Sequence, residues 1–222
     1  MLQQIGTIIV NGIEYNEYPP PSRLVKAMER EWGGDLVGKG AIRFRRLEYY
    51  QRWENAVLGD PNEGNGLFHL DGQPMEVNSS NEVYAWCASL PALSLERLAL
   101  MAREGKYNCI IKLFDPEEFF QRVKDKLSTQ RKGLWLHCGH VNYNRGAQID
   151  RNKLNSQNFH FNVFQKDPKF KEDMEYRMSV VNCTFHRLPE DHLDLVLGDC
   201  SDIISIEELP NFSMYPTGLQ LR

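Results

Sequence analysis

Three stretches of the chain carry side chains whose types and spacing could do chemistry. The first is Phe170-Lys171-Glu172-Asp173-Met174-Glu175-Tyr176-Arg177. Along a strand, Asp173, Glu175 and Arg177 project from one face and Met174, Tyr176 and Met178 from the other. A carboxylate flanked in this way by an acid and a base is suited to accepting hydrogen bonds from sugar hydroxyls or stabilising a developing cation on a sugar ring. On a solvated strand edge the same residues would make only surface ion pairs of little energetic weight. The second stretch, Ile42-Arg43-Phe44-Arg45-Arg46-Leu47-Glu48-Tyr49-Tyr50, alternates arginines along a strand and runs into aromatic residues. Guanidinium forks bind phosphates bidentately and tyrosines stack on flat heterocycles, so a dinucleotide could use both; a basic solvent face with Tyr49 or Tyr50 in the core is the alternative. The third, Tyr84-Ala85-Trp86-Cys87-Ala88-Ser89, puts a thiol and a hydroxyl on an otherwise apolar strand, where core packing with a satisfied Ser89 is the plain reading.

Metal chemistry has little support. The five cysteines, Cys87, Cys109, Cys138, Cys183 and Cys200, form no Cys-x-x-Cys pair and read as reduced thiols. His137-Cys138-Gly139-His140 invites a metal reading, but three residues apart on a strand the two histidines face opposite sides. No metal is expected.

The elements that must position these side chains follow from turn and capping signals. Thr7 to Val10 and Ile13 to Tyr15, joined by Asn11-Gly12, read as a tight hairpin. After Pro19 to Pro21, Ser22 caps an expected helix running to about Trp32, ended by Gly33-Gly34. Ala41 to Leu47 reads as a strand and Glu48 to about Leu58 as a short helix. A second hairpin is expected around Asp71-Gly72, with Pro74 confining its strand to an edge. Glu82 to Leu90 is a strand, Ser94 starts a helix ended by Gly105, and Tyr107 to Phe114 is a strand. Asp115-Pro116-Glu117-Glu118 is a strong helix start, giving a helix to about Leu127. Short strands follow at Leu134 to Tyr143, Phe159 to Gln165, Glu175 to Asn182 and Leu193 to Leu197, with a last short helix from Ser201. Helices crowd the first half and strands the second, which predicts an α+β fold with a mostly antiparallel sheet, in a single domain spanning 1–222.

Composition agrees with that class. At 222 residues, 41% apolar and 25% charged, the chain can bury its own core. No apolar run approaches the roughly 20 residues that cross a bilayer, so no membrane partner is expected. The N-terminal residues lack the pattern of a secretory signal, and a cytoplasmic location is the expectation. A net charge of −4 gives no global argument for nucleic acid but leaves room for a local basic groove.

Taken in order, an arginine on an early strand, a hydroxyl-bearing strand in the middle and a glutamate on a late strand resemble the arginine, serine, glutamate class of mono-ADP-ribosyltransferases. Phe44-Arg45-Arg46 looks like that family's aromatic-arginine motif. Cys87-Ala88-Ser89 sits where the family carries serine-threonine-serine, and Asp173-Met174-Glu175 is similar to its Glu/Gln-x-Glu motif. Cysteine for the first serine and aspartate for Glu or Gln are departures, and they leave the acceptor open. The wider pattern, from Arg43-Phe44 through Leu47-x-Tyr49-Tyr50 to Asp60-x-x-Glu63-Gly64 and Phe170 to Arg177, also resembles bacterial proteins found among toxin and antiphage systems.

The resemblance implies a split antiparallel β-sandwich with NAD as substrate in the cleft between its sheets. It implies Glu175, Arg45 and Ser89 as catalytic residues, with Arg43, Arg45, Tyr49, Tyr50, Cys87 and Ser89 about the dinucleotide. It further implies transfer of ADP-ribose to a macromolecule, RNA or DNA ahead of protein, and a cognate antitoxin as a partner. Two other classes stay open: a nuclease or RNA-binding module using Arg43, Arg45, Arg46 and Arg52 on phosphates with a stacking tyrosine, and a non-catalytic interaction protein.

Overall fold

In the computed structural model, the described residues are 7–16, 19–52, 59–78, 82–130, 132–149, 162–184 and 186–209. Strands β1 (Thr7–Val10) and β2 (Ile13–Asn16) form the expected hairpin, with Asn11 and Gly12 at φ 51° and 74° supplying the two positive φ values that a tight turn of matching twist requires. Then come β3 (Leu24–Met28), helix α1 (Arg30–Lys39), β4 (Ala41–Arg46) and the short α2 (Leu47–Gln51). A second hairpin, β5 (Asn65–Leu70) and β6 (Gln73–Asn78), is followed by β7 (Glu82–Ser89), α3 (Leu95–Gly105) and β8 (Cys109–Leu113). The chain continues through α4 (Pro116–Gln130), β9 (Leu134–His140), β10 (Ala147–Ile149), a 3-10 helix (Pro168–Asp173), β11 (Glu175–Asn182), β12 (His192–Val196) and β13 (Ile204–Glu208).

The fold is α+β, built on a mixed ten-stranded sheet whose main path runs β1-β2-β9-β11-β7-β3-β8-β13, with β4 pairing β7 and β12. β2 and β9 run parallel, and the other ladders of this sheet are antiparallel. A separate small sheet has the order β10-β5-β6, which leaves β6 and its Pro74 on an edge as expected. Among the described residues no helix is long and apolar enough to cross a membrane.

Helix α4 explains why the middle of the large sheet is dry. Asp115 caps it by accepting the Glu118 N–H at 3.0 Å, and Phe119, Phe120, Val123 and Leu127 form its buried stripe. Phe120 stacks on Tyr176 of β11 at 5.7 Å and 2°, while Phe119 meets Trp86 of β7 at 5.8 Å. Tyr176, Met178 and Val180 are thereby buried with Tyr84, Trp86 and Ala88 in the main core. Alternation along the strands then sends Glu175, Arg177, Cys87 and Ser89 to the opposite face.

Two expected helices are strands. The segment predicted as a helix from Ser22 to Trp32 contains β3, which pairs along its length with β8, from Leu24 opposite Leu113 to Met28 opposite Cys109. That long-range pairing overrides the local helical pattern. Nor do Gly33 and Gly34 end a helix; they lie inside α1. A Cβ on Gly33 would come within 2.8 Å of Ile206 Cδ1 and 3.0 Å of Cys109 Sγ, so glycine lets α1 settle closely on β8 and β13. The last element, expected as a helix from Ser201, is a turn followed by β13 along β8. The expected helix to Leu58 is seen only as α2, its remainder lying outside the described residues apart from Arg52. Of the strand expected from Phe159 to Gln165, the described part is a turn with one bridge, Asn142 to Gln165.

Candidate functional site

Strand β7 is where the sheet forks. One edge pairs continuously with β11, placing Glu175 opposite Ser89 and Arg177 opposite Cys87. The other edge is shared: Tyr84 and Ala85 pair with Arg46 and Arg45 of β4, and Ser89 pairs with Val25 of β3. Between these points the two strands diverge and neither supplies a register partner to Trp86, Cys87 or Ala88. A buried carbonyl in such a gap needs another donor. Lys26 of β3 provides it, its Nζ donating to the Cys87 carbonyl at 2.6 Å while lying 5.1 Å from the Trp86 ring centre.

The fork opens into a cleft of about 250 Å³ of water-accessible space. Its floor is Cys87, Ser89, Glu175 and Arg177; Lys26 comes from β3, Arg45 from the end of β4, and Tyr49 and Tyr50 from α2. Met101 of α3, Tyr107, Glu63 and Lys166 complete the wall. Arg45 lies over the Tyr49 ring at 4.3 Å, and Tyr49 is 38% exposed, so this pair forms the rim.

Behind the floor lies a charge network. Arg177 donates to one oxygen of Glu175 from Nε at 2.8 Å and Nη2 at 2.5 Å, and its Nη1 donates to Glu63 at 2.7 Å and to the Val163 carbonyl. Lys166 reaches the other Glu175 oxygen at 2.9 Å and Asp173 at 3.4 Å, and Arg97 holds Asp173 at 2.6 Å. Three cations thus meet three carboxylates, which is how a charged cluster at 7% exposure or less around Glu175, Arg177 and Lys166 is tolerated. The backbone N–H of Glu175 donates to the Tyr143 hydroxyl at 2.7 Å.

The network fixes protonation. Burial works against the charge on Glu175, but Arg177 and Lys166 overcome it and hold the carboxyl well below the usual carboxylate range. Burial raises the Cys87 pKa to about 12, with the Glu175 charge adding to it, so this thiol stays protonated beside Glu175. Burial lowers the Lys26 pKa, against smaller opposing effects of Cys87 and Glu175. The solvated-edge reading of Asp173, Glu175 and Arg177 is therefore overturned: Arg177 is 1% exposed because β11 is a central strand. Asp173 reaches the network from the end of the 3-10 helix, not from the strand, with Met174 at φ 46° between them.

Of the residues singled out in the sequence, Arg45, Tyr49, Tyr50, Cys87, Ser89, Glu175 and Arg177 line one cleft. Arg43 does not join them. It is gripped bidentately by Asp194 of β12 at 2.7 and 2.6 Å and lies 5.5 Å from the Trp32 ring. Arg46 pairs with Glu82 at 2.6 Å beside Tyr84. His137 and His140 do face opposite sides, being registered with Ser179 and Tyr176; His137 contacts Glu14 at 3.0 Å and His140 is edge-on to Tyr176. Among the described residues no group of three or more metal-ligating side chains converges.

Lys26, Lys166, Arg97, Tyr107 and Tyr143 were not found by sequence reasoning, and Glu63 entered only as part of a wider pattern. Lys26 was hidden by the mistaken helix. Asp167-Pro168 repeats the Asp-Pro start signal of α4, with Asp167 accepting the Lys169 N–H at 3.0 Å, so the element bearing Lys166 at its border was detectable, though its partners were not. Comparison with known proteins finds no match among family models, curated proteins or solved structures.

Proposed function

We propose that this chain transfers ADP-ribose from NAD to a macromolecular acceptor, nucleic acid ahead of protein, in the manner of bacterial toxin and antiphage enzymes. The observation that carries this reading is the juxtaposition, on the floor of one cleft, of an ionised Glu175 and the Ser89 hydroxyl beneath an Arg45–Tyr49 rim. A carboxylate held so far below its usual range is a poor general acid at neutral pH and a good fixed anion. It suits a reaction in which positive charge develops on the ribose as the C1′–nitrogen bond breaks and nicotinamide leaves with the bonding electrons. The acceptor atom then bonds to C1′ and gives up its proton to solvent.

The other parts have matching roles. The donors on Glu175 are Arg177 and Lys166, and the protonated Cys87 thiol stands beside the carboxylate on the cleft floor, where a ribose hydroxyl would approach it. Arg45 would meet the diphosphate, Ser89 the nicotinamide side, and the tyrosines a flat ring. The forked sheet with a cleft at its fork is compatible with the split sandwich that the resemblance implies.

A second reading, a binding protein without catalysis, is favoured by one observation: Glu175 already accepts three N–H bonds from Arg177 and Lys166. The nucleic-acid module with a four-arginine face is disfavoured because Arg43 and Arg46 are bound by Asp194 and Glu82. Incubating the protein with NAD labelled in its adenine half and separate pools of RNA, DNA and protein distinguishes these. Label transfer with nicotinamide release supports the transferase; NAD binding with neither sinks it in favour of the binding protein.

A further inference from the structure

The charges lining the cleft do not cancel, and the surplus has a defined place. Lys166 and Arg177 are matched by Glu175 and Glu63, with Arg97 and Asp173 completing a balanced set behind the floor. Lys26 and Arg45 remain. Among the described residues neither forms an ion pair with a carboxylate; Lys26 donates to the Cys87 carbonyl and Arg45 lies on the Tyr49 ring. Asp191 and Asp194 feel the Arg45 charge without pairing with it, Asp194 being held by Arg43 and Asp191 by His192 at 2.7 Å.

Position matters as much as charge. Lys26 enters from β3 and Arg45 from β4, the two strands that part at β7, so the surplus cations stand on the two sides of the same opening. A cation without a carboxylate in a half-enclosed, low-dielectric cleft is an unfavourable arrangement until an anion arrives. Two such cations match the two negative charges of a diphosphate bridge, and a guanidinium with an ammonium offers a planar fork and a mobile donor for its oxygens.

We infer that Lys26 and Arg45 form a two-cation seat for the diphosphate of a nucleotide-type ligand, with Lys26 a binding residue that no motif in the sequence marks. This rests on the proposed function only for the identity of the ligand as NAD; the seat itself follows from the fork and the charge balance. The carbonyl of Cys87 anchors Lys26 when no anion is present, and the aromatic rim carries Arg45.

The test is calorimetric titration of the full chain with inorganic pyrophosphate and, separately, with inorganic phosphate. Pyrophosphate is expected to bind more tightly than phosphate and to be displaced by NAD. Lys26→Met, which keeps the stem over Trp86, and Arg45→Ala are each expected to weaken pyrophosphate binding about tenfold or more, the loss of one charge-assisted hydrogen bond. Arg122→Ala, on α4 and paired with Glu118 and Asp202 away from the cleft, should bind as the parent does. Equal binding by the parent, Lys26→Met and Arg45→Ala overturns the seat, as does equal affinity for phosphate and pyrophosphate. Should Lys26→Met fail to melt cooperatively, Arg45→Ala at the rim decides the question alone. Pyrophosphate binding that depends on both cations, with no nicotinamide released from NAD, leaves the seat standing and sinks the transferase. Nicotinamide release that is unchanged in Lys26→Met and Arg45→Ala does the reverse.

Discussion

Ser89 and Glu175 are register partners across the β7–β11 ladder, so the hydroxyl and the ionised carboxylate share one face of the sheet at the point where β3 also joins β7. Cys87, two residues earlier, faces the same way opposite Arg177, and its thiol remains protonated. Ser89→Ala should lower turnover of NAD moderately, because it removes a group that both donates and accepts strongly, whereas Cys87→Ala removes only a protonated thiol, a weak donor. Steady-state nicotinamide release checks the order. A larger loss in Cys87→Ala would assign the functional position to the thiol.

Glu175→Gln separates electrostatics from architecture. Removing a preorganised charge partner is expected to lower turnover about 100-fold to 1000-fold. Because Arg177 and Lys166 would then face a neutral amide, the variant should also lose roughly 3 to 5 kcal/mol of stability, the effect of breaking a buried pair. Turnover is measured below the melting transition, on protein shown by circular dichroism to be folded. Glu172→Gln, on an exposed residue, should change stability by no more than about 0.5 kcal/mol and leave turnover alone. Full activity in folded Glu175→Gln would remove the carboxylate from the mechanism.

Arg45 and Arg43 share a strand face two residues apart but have different fates. Arg45→Ala should weaken NAD binding by about 1.5 to 3 kcal/mol through loss of a charge-assisted contact. Arg43→Ala breaks only a partly exposed pair with Asp194 and should alter stability by about 0 to 1 kcal/mol, with NAD affinity unchanged. Calorimetry on both variants tests this, and the reverse order would place the dinucleotide along β12 instead of in the cleft.

How much of this was legible depends on where the information resides. The Asn11-Gly12 turn, the Asp115-Pro116 helix start and the β11 bounds were readable because each is set by neighbouring residues. Strand β3 was not, since its conformation comes from pairing with β8, more than eighty residues away. The same holds for the site. The cleft residues named from sequence, Arg45, Tyr49, Tyr50, Cys87, Ser89, Glu175 and Arg177, lie in three local runs whose convergence only the fork supplies. Lys26 carries no local signal, the Asp167-Pro168 signal beside Lys166 says nothing of its partners, and the engagement of Arg43 by Asp194 depends on β12 arriving beside β4.

The acid side of the stability profile tests the network itself. Glu175 titrates well below its ordinary 4.5, so the folded state favours its charged form; burial opposes this and Arg177 and Lys166 prevail. Its contribution is complete above about pH 4.5 and is lost progressively as pH falls toward the folded value, because the unfolded chain takes up the proton first. Asp173 has the opposite sign. Burial raises its pKa above 3.8 despite Lys166 and Arg97, so its linkage favours the folded state below that value and fades as pH rises. Urea unfolding at a series of pH values should therefore show stability falling below about pH 4.5, with a shallower fall in Glu175→Gln and a steeper one in Asp173→Asn. Lys166→Met, which leaves Arg177 as the remaining cation hydrogen-bonded to Glu175, should move the Glu175 titration upward and start the fall at higher pH. If the parent and Glu175→Gln lose stability in parallel across this window, Glu175 does not carry the network's charge linkage, and the fixed anion on which the proposed chemistry depends is not there.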